Sequence, residues 1–469
     1  MSDEHLAQAL DSVRPMLMSD DLLLVKQALE LLEGIGDERV WDDLLRGTSV
    51  QEDGQIEYGE KIRELVHQRY TTWVILYALS RDETLRSLQR LNIGYSGTND
   101  ISLLEGAESL ISLTLDGCYE IEDLQPIARL QKLESVELEA CTGITSIDAL
   151  AEKTSLKRLD LGACMSLHEI HVVETLPNLT ELVLSGCVRL HDFTAIEKLQ
   201  HLTTLSIDGC EVFRDLKGLS ALKQLSTLSL GWDGLTTLDD ISGWECLAPV
   251  RKVVLPSAER LMSLHALSRA PGVQSLELWF IRRPSLADIR GWETLTSIDT
   301  VELRLCDELT TIQPLSSLPA LSTLRLHGLK ALYDLRALVG IEGLRSLSLN
   351  HSGLEALGEL RGLAELNQIT ALELAWCGAL SDISVLKELS QLRSLRIQNC
   401  RLLQDVSPLA ALENLANLEI VETYKVRELS FLQGLTQLKT LRVSLSRWIR
   451  SHHLSALQEQ LPDCVISTA

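Results

Sequence analysis

The chain has 469 residues, with 43 Lys plus Arg against 66 Asp plus Glu, a formal net charge of −23. That length implies two to four domains or one elongated repeat array rather than a single compact core. So acidic a surface repels phosphate backbones and anionic headgroups, which excludes nucleic acid and membrane as expected partners.

The first residues, MSDEHLAQALDSVRPM, lack the basic stretch and apolar run of an export signal. No window reaches 18 uninterrupted apolar residues, so no transmembrane helix is expected. Ten cysteines without an export signal fit reduced thiols and a cytoplasmic location. Residues 1–85 then read as helical. SDDLLLVKQALELLEGIG has Ser19 or Asp20 as N-cap and Gly34/Gly36 as its stop. DERVWDDLLRG is a second helix, GTSVQEDGQI (47–56) a loop, and YGEKIRELVHQRYTTWVILYALS one or two further helices. The run QALELLEGIGDERVWDDLLRG resembles the HEAT/armadillo-like units that precede leucine-rich repeats in bacterial proteins.

From residue 86 onward one template, Leu-x-x-Leu-x-Leu, dominates. Fifteen copies start between Leu110 and Leu438, mostly 23 residues apart, with steps of 25 from Leu225, Val273 and Leu344. A degenerate copy begins at Leu88 and a last one at Leu461, so 86–469 holds about 15–17 units, with a closing half-unit near 454–469. The alternating leucines place one apolar face on each short strand, and a lone unit cannot bury that face, so neighbours must stack. The template, with second halves such as CDELTTIQPLSSL and CRLLQDVSPLAAL, resembles the leucine-rich repeat family, in its internalin-like, phosphatase-regulator-like 22–23-residue subclass. The resemblance implies an α/β fold: a right-handed solenoid with a curved parallel β-sheet on its concave face, capped by the small all-α domain.

Eight cysteines share one phase of the unit: Cys118, Cys141, Cys164, Cys187, Cys210, Cys306, Cys377 and Cys400. A ladder with a rung about every 4.8 Å cannot converge on one zinc ion. Small, burial-tolerant thiols as structural rungs are therefore expected, although the spacing alone does not exclude disulfides. Neither metal nor cofactor is expected.

The variable residues between the leucine anchors face outward from the strands. In the early units they are acidic: Asp116, Glu137, Glu139, Asp160 and Asp208. Later, acid and base alternate through Glu302, Arg304, Arg325, Glu373, Arg396, Glu419 and Arg442, which reads either as cross-strand pairing or as a polar partner surface. Trp279 lies on the outward phase, while Trp232, Phe280 and Trp376 come one residue later, at the strand edge, as anchors or as packing. Trp244 and Trp292 recur in GWE inside two of the longer steps, where packing is expected. His327 and His351 fall on adjacent strands. Phosphate loops, G-x-G-x-x-G, H-E-x-x-H and C-x-x-C are all missing. The expected function is non-enzymatic protein–protein recognition by a scaffold, sensor or adaptor, without a small-molecule substrate. The alternatives are a regulatory subunit of a protease or phosphatase and, more remotely, a ubiquitin-ligase-type effector, which needs a catalytic domain after the repeats.

Overall fold

The computed structural model describes residues 3–81, 84–350, 354 and 356–468; His351 lies outside them. The chain divides into two compact units, Met1–Phe213 with Gly218–Leu228 and Arg214–Lys217 with Ser229–Ala469.

The first unit opens on helices Asp3–Leu17, Leu22–Gly34, Arg39–Leu44, Glu60–Leu65 and Thr71–Arg81. The cap of the second is Asp21, one residue beyond the expected position: its carboxylate accepts the Leu23 N–H at 2.9 Å. The expected loop at 47–56 is instead a short antiparallel hairpin, Ser49–Val50 with Ile56–Glu57. Its turn reaches the first repeat strand, Arg90–Asn92, where the Asn92 N–H donates to the Gly54 carbonyl at 2.8 Å. The hairpin thus satisfies a donor on an otherwise open sheet edge. Parallel strands Arg90–Asn92, Ser112–Thr114, Ser135–Glu137, Arg158–Asp160, Glu181–Val183 and Thr204–Ser206 follow, each paired in register with the next.

In the second unit the strands lengthen, mostly to five residues, and run in parallel register from Lys252–Leu255 to Val465–Thr468. Helix Ser451–Gln460 precedes the final strand. Both units are built of leucine-rich repeats: a strand, a turn and a short 3₁₀ segment returning to the next strand. Pro126, Pro314 and Pro408 start such segments, where a missing N–H costs nothing. The template leucines are buried throughout.

Two of the three longer steps are filled by tryptophan, the third by Leu363. Trp244 and Trp292 are buried, and their indole N–H groups donate to the carbonyls of Leu238 (3.1 Å) and Leu286 (3.2 Å). The residue before each is a left-handed glycine, Gly243 (φ 86°) and Gly291 (φ 98°). A Cβ at Gly243 would stand 2.7 Å from the Lys217 nitrogen, so only glycine lets the backbones approach this closely.

All ten cysteines are free thiols. The rungs donate S–H to backbone carbonyls, mostly of the preceding repeat: Cys141 to Leu115 O (3.2 Å), Cys164 to Leu138 O (3.2 Å) and Cys187 to Leu161 O (3.1 Å). Burial pushes the thiols of Cys141, Cys164 and Cys210 up to about 12, far from the range of a nucleophile or metal ligand. Among the described residues, no group of three or more His, Cys, Asp or Glu is placed to hold a metal ion. No described helix is long and apolar enough to cross a membrane.

Candidate functional site

Strand register sorts the outward residues of the second unit into rows. The first is small and hydroxylated: Ser275, Thr300, Thr323, Ser346, then Ala371 and Ser394. The second is charged: Glu277, Glu302, Arg325, Ser348, Glu373, Arg396, Glu419 and Arg442. The third runs Trp279, Arg304, His327, Asn350.

The charged row is an ion ladder. Arg396 Nε lies 3.7 Å from both Glu373 Oε1 and Glu419 Oε2, and Ser348 Oγ donates to Glu373 Oε2 at 3.0 Å. At the other end the ladder is buried. Glu277 and Glu302 are 3% and 5% exposed, and the Arg304 guanidinium spans both, at 2.8 and 2.5 Å. Lys252 closes on the second oxygen of Glu277 at 2.5 Å. These cations, together with the Trp279 hydrogen bond, hold the Glu277 carboxyl below its ordinary range against the opposing cost of burial. Trp279 is fixed twice: its indole N–H donates to Glu277 at 2.6 Å, and the Arg304 guanidinium sits 5.5 Å from its ring centroid. His327 Nε2 is buried without a hydrogen-bond partner, and desolvation lowers its pKa, so the imidazole is neutral at pH 7.

Beyond the third row lies a position that sequence reasoning did not resolve. The residue before each ladder cysteine, or before the residue that takes the cysteine's phase (as Ile281 and Leu329 do), has a left-handed backbone in repeat after repeat. Glycine fills it at Gly117, Gly186, Gly209 and Gly328, and Ala140, Ala163, Asn399 and Glu422 adopt it too. In the second unit large apolar side chains fill it too: Phe280 (φ 58°), Leu305 (φ 55°) and Trp376 (φ 58°). They are 39%, 51% and 53% exposed. A non-glycine residue in this conformation costs about 1–2 kcal/mol, and these side chains are left largely in water. Phe280 and Trp376 were expected at this edge; Leu305 was missed, although its place directly before Cys306 is the signal that marks it.

Trp232 is a correction. It shares the nominal phase but is only 6% exposed, with the Arg214 guanidinium 5.1 Å from its ring centroid. In that repeat the positive φ sits one residue earlier, at Gly231, and the ring turns inward rather than serving as an exposed anchor.

The early acidic residues cluster on the strand face of the first unit. Arg158 is their cationic hub, pairing with Glu137 (3.3 Å), Asp160 (3.2 Å) and Glu181. Asp116 Oδ1 accepts the Glu139 N–H at 2.8 Å. Burial, then the charges of Glu137, Asp160 and Glu139, push the Asp116 carboxyl up to about 6; burial also raises Asp160. Asp208 lies further along the same face, half-buried.

No protein-family model matches the chain, and no curated protein matches it. Among solved structures it is similar to an internalin, InlF, from Listeria monocytogenes: 18% identity over 83% of this chain and 92% of that one, TM-score 0.28. A second neighbour is the functional domain of InlJ from the same organism, described as including a cysteine ladder: 17% identity, 78% and 69% coverage, TM-score 0.32. A third is a leucine-rich repeat protein of Leptospira interrogans: 15% identity, 84% and 98% coverage, TM-score 0.33.

Proposed function

We propose that this chain is a non-enzymatic protein-recognition module of the cytoplasm, acting as a scaffold, sensor or adaptor. Residues 1–85 form its helical cap and 86–469 its repeats. The observation that carries the reading is the row of apolar side chains at left-handed positions: Phe280, Leu305 and Trp376. Each sets a large, exposed apolar side chain at a strained position that most other repeats give to glycine, alanine or a polar residue. Trp279, Arg304, Arg325, Glu373, Arg396, Glu419 and Arg442 supply the polar, pre-ordered floor beside this row. A floor already held by its own ion pairs loses little entropy on binding, so affinity rests on the few apolar anchors. Free, buried thiols with raised pKa values suit a reducing compartment.

The test is quantitative affinity capture from the native host, with the full chain and the triple variant Phe280→Ala, Leu305→Ala, Trp376→Ala as baits. Proteins enriched on the wild type should fall at least tenfold on the variant, with circular dichroism showing an unchanged fold. An identical set of captured proteins on both baits rules the surface out.

A further inference from the structure

The first unit carries a second exposed apolar row, on the turns just past the cysteine rungs. Tyr119, Met165 and Val188 each follow a rung directly, and Val212 lies one residue later in its own turn. All four are more than half exposed. Tyr95, at left-handed φ 55° before the first of these turns, is exposed too. In the second unit Asp307, Gly378 and Arg401 follow Cys306, Cys377 and Cys400, and exposed apolar side chains reach the equivalent turns at Leu402 and Tyr424. The apolar row is therefore longer in the early repeats, where Thr142 interrupts it once, than in the later ones.

The strand face beside it is acidic. Asp116, Glu139 and Asp208 each stand two residues before a rung cysteine, with Glu137 and Asp160 on the same face and Arg158 as the cation that pairs with Glu137 and Asp160. Burial first, and then the nearby carboxylates of Glu137, Asp160 and Glu139, raise the Asp116 carboxyl.

Spacing narrows the form of the occupant. Successive turns repeat at the strand spacing of about 4.8 Å, so Tyr119 to Val212, four repeats on, spans roughly 20 Å. A helix lying across them presents one side chain per turn, every 4.5–6 Å at i, i+3 and i+4, which matches the turn spacing. An extended strand, with same-face side chains about 6.7 Å apart, drifts out of step.

We propose that this edge of the first unit docks a cationic amphipathic α-helix of another protein, about 13 residues long, its apolar stripe on Tyr119, Met165, Val188 and Val212 and its Lys or Arg side chains over Asp116, Glu139 and Asp208. This rests on the recognition role proposed above but uses a different unit and different residues, so the two can fail separately.

The test is fluorescence anisotropy on the full chain with a labelled 18-residue Leu/Lys amphipathic peptide as probe and its Leu/Glu counterpart as control. The Lys peptide should bind saturably and weaken steeply between 50 and 300 mM salt, while the Glu peptide should bind at least tenfold more weakly. Tyr119→Ser, Met165→Ser, Val188→Ser together should weaken the Lys peptide at least tenfold. Glu139→Gln with Asp208→Asn should do the same and flatten the salt dependence. Tyr119, Met165, Val188 and Glu139 are exposed and Asp208 is half-buried, and circular dichroism verifies the fold of each variant. No saturable binding, equal binding of the two peptides, or unchanged affinity in either variant overturns the proposal. The Phe280, Leu305, Trp376 variant should leave this peptide's affinity unchanged. If it abolishes host capture while the first-unit variants do nothing, the helix-docking inference falls and the recognition role stands.

Discussion

The strain at Phe280, Leu305 and Trp376 is measurable without any partner. At an ordinary extended position, glycine is less stable than alanine by about 0.5–1 kcal/mol, because the unfolded chain has more freedom to lose. At φ 58°, 55° and 58° the folded chain reverses this. Alanine keeps the clash between Cβ and backbone, worth about 1–2 kcal/mol, and glycine removes it. Subtracting the unfolded-state term leaves glycine ahead of alanine by about 0.5–1 kcal/mol at each site. Both substitutions delete the exposed side chain, so its residual packing cancels in the comparison. Arg442, exposed and extended in strand Thr440–Val443, is the control, where alanine should win. Gly328 gives the reverse test. It has φ 70° and its nearest neighbour to an added Cβ lies 3.5 Å away, so Gly328→Ala meets no clash and should lose only the conformational term, about 1 kcal/mol. Urea midpoints of the paired variants read the difference. If alanine matches or exceeds glycine at all three apolar sites, the strain argument fails, and with it the physical reason for singling out this row.

Three further outcomes follow from buried groups. A chromogenic disulfide reagent at pH 8 should react in the native protein with half-buried Cys246 and not with the ladder thiols, which become reactive only on unfolding. Arg304→Ala should cost about 3 kcal/mol in chemical unfolding by leaving Glu277 and Glu302 buried beside a missing cation, and adding Glu302→Gln should recover part of that loss. Lys153 is fully buried, its ammonium donating to the carbonyls of Ala128 (2.9 Å) and Leu130 (3.2 Å), and desolvation lowers its pKa from 10.5 to about 8. Between those values the unfolded chain binds more protons than the folded one, so stability rises with pH across that window. Two and a half units correspond to about 3 kcal/mol, and the gain should appear between pH 8 and 10.5 in the wild type relative to Lys153→Met.

The repeat was legible because its signal is periodic and redundant. Each leucine phase is sampled many times, so the 23- and 25-residue steps reappear directly as strand register, Glu302 beside Arg325 and Glu277 beside Glu302. The cysteine rungs were legible for the same reason. What the sequence concealed depends on backbone sign and on local compensation. The sign of φ at Leu305 leaves no trace in hydropathy; it shows only in the glycines that occupy the same phase in other repeats. Trp232 misled because Gly231, a single residue, absorbs the positive φ and rotates the ring inward. The hairpin at 49–57 was read as a loop because its two strands are each two residues long, too short for any alternation to register.

Register also redistributes weight among the charged residues. In the sequence, Arg304, Arg325 and Arg396 read either as cross-strand pairing or as part of a polar partner surface. In the fold Arg396 is held between two glutamates, Arg304 spans two more, and Arg325 stands 3.9 Å from Glu302. An incoming carboxylate must compete with partners already in place, and pairs of this kind fix geometry more than they add affinity. Phe280, Leu305 and Trp376 have no such internal competitor for their exposed faces. Desolvating them is a gain of about 25 cal/mol per Å² of apolar surface, and their backbone strain is already present before any partner arrives. On the proposed recognition role, the ladder is the ordered floor of the surface and the apolar edge supplies the energy of contact.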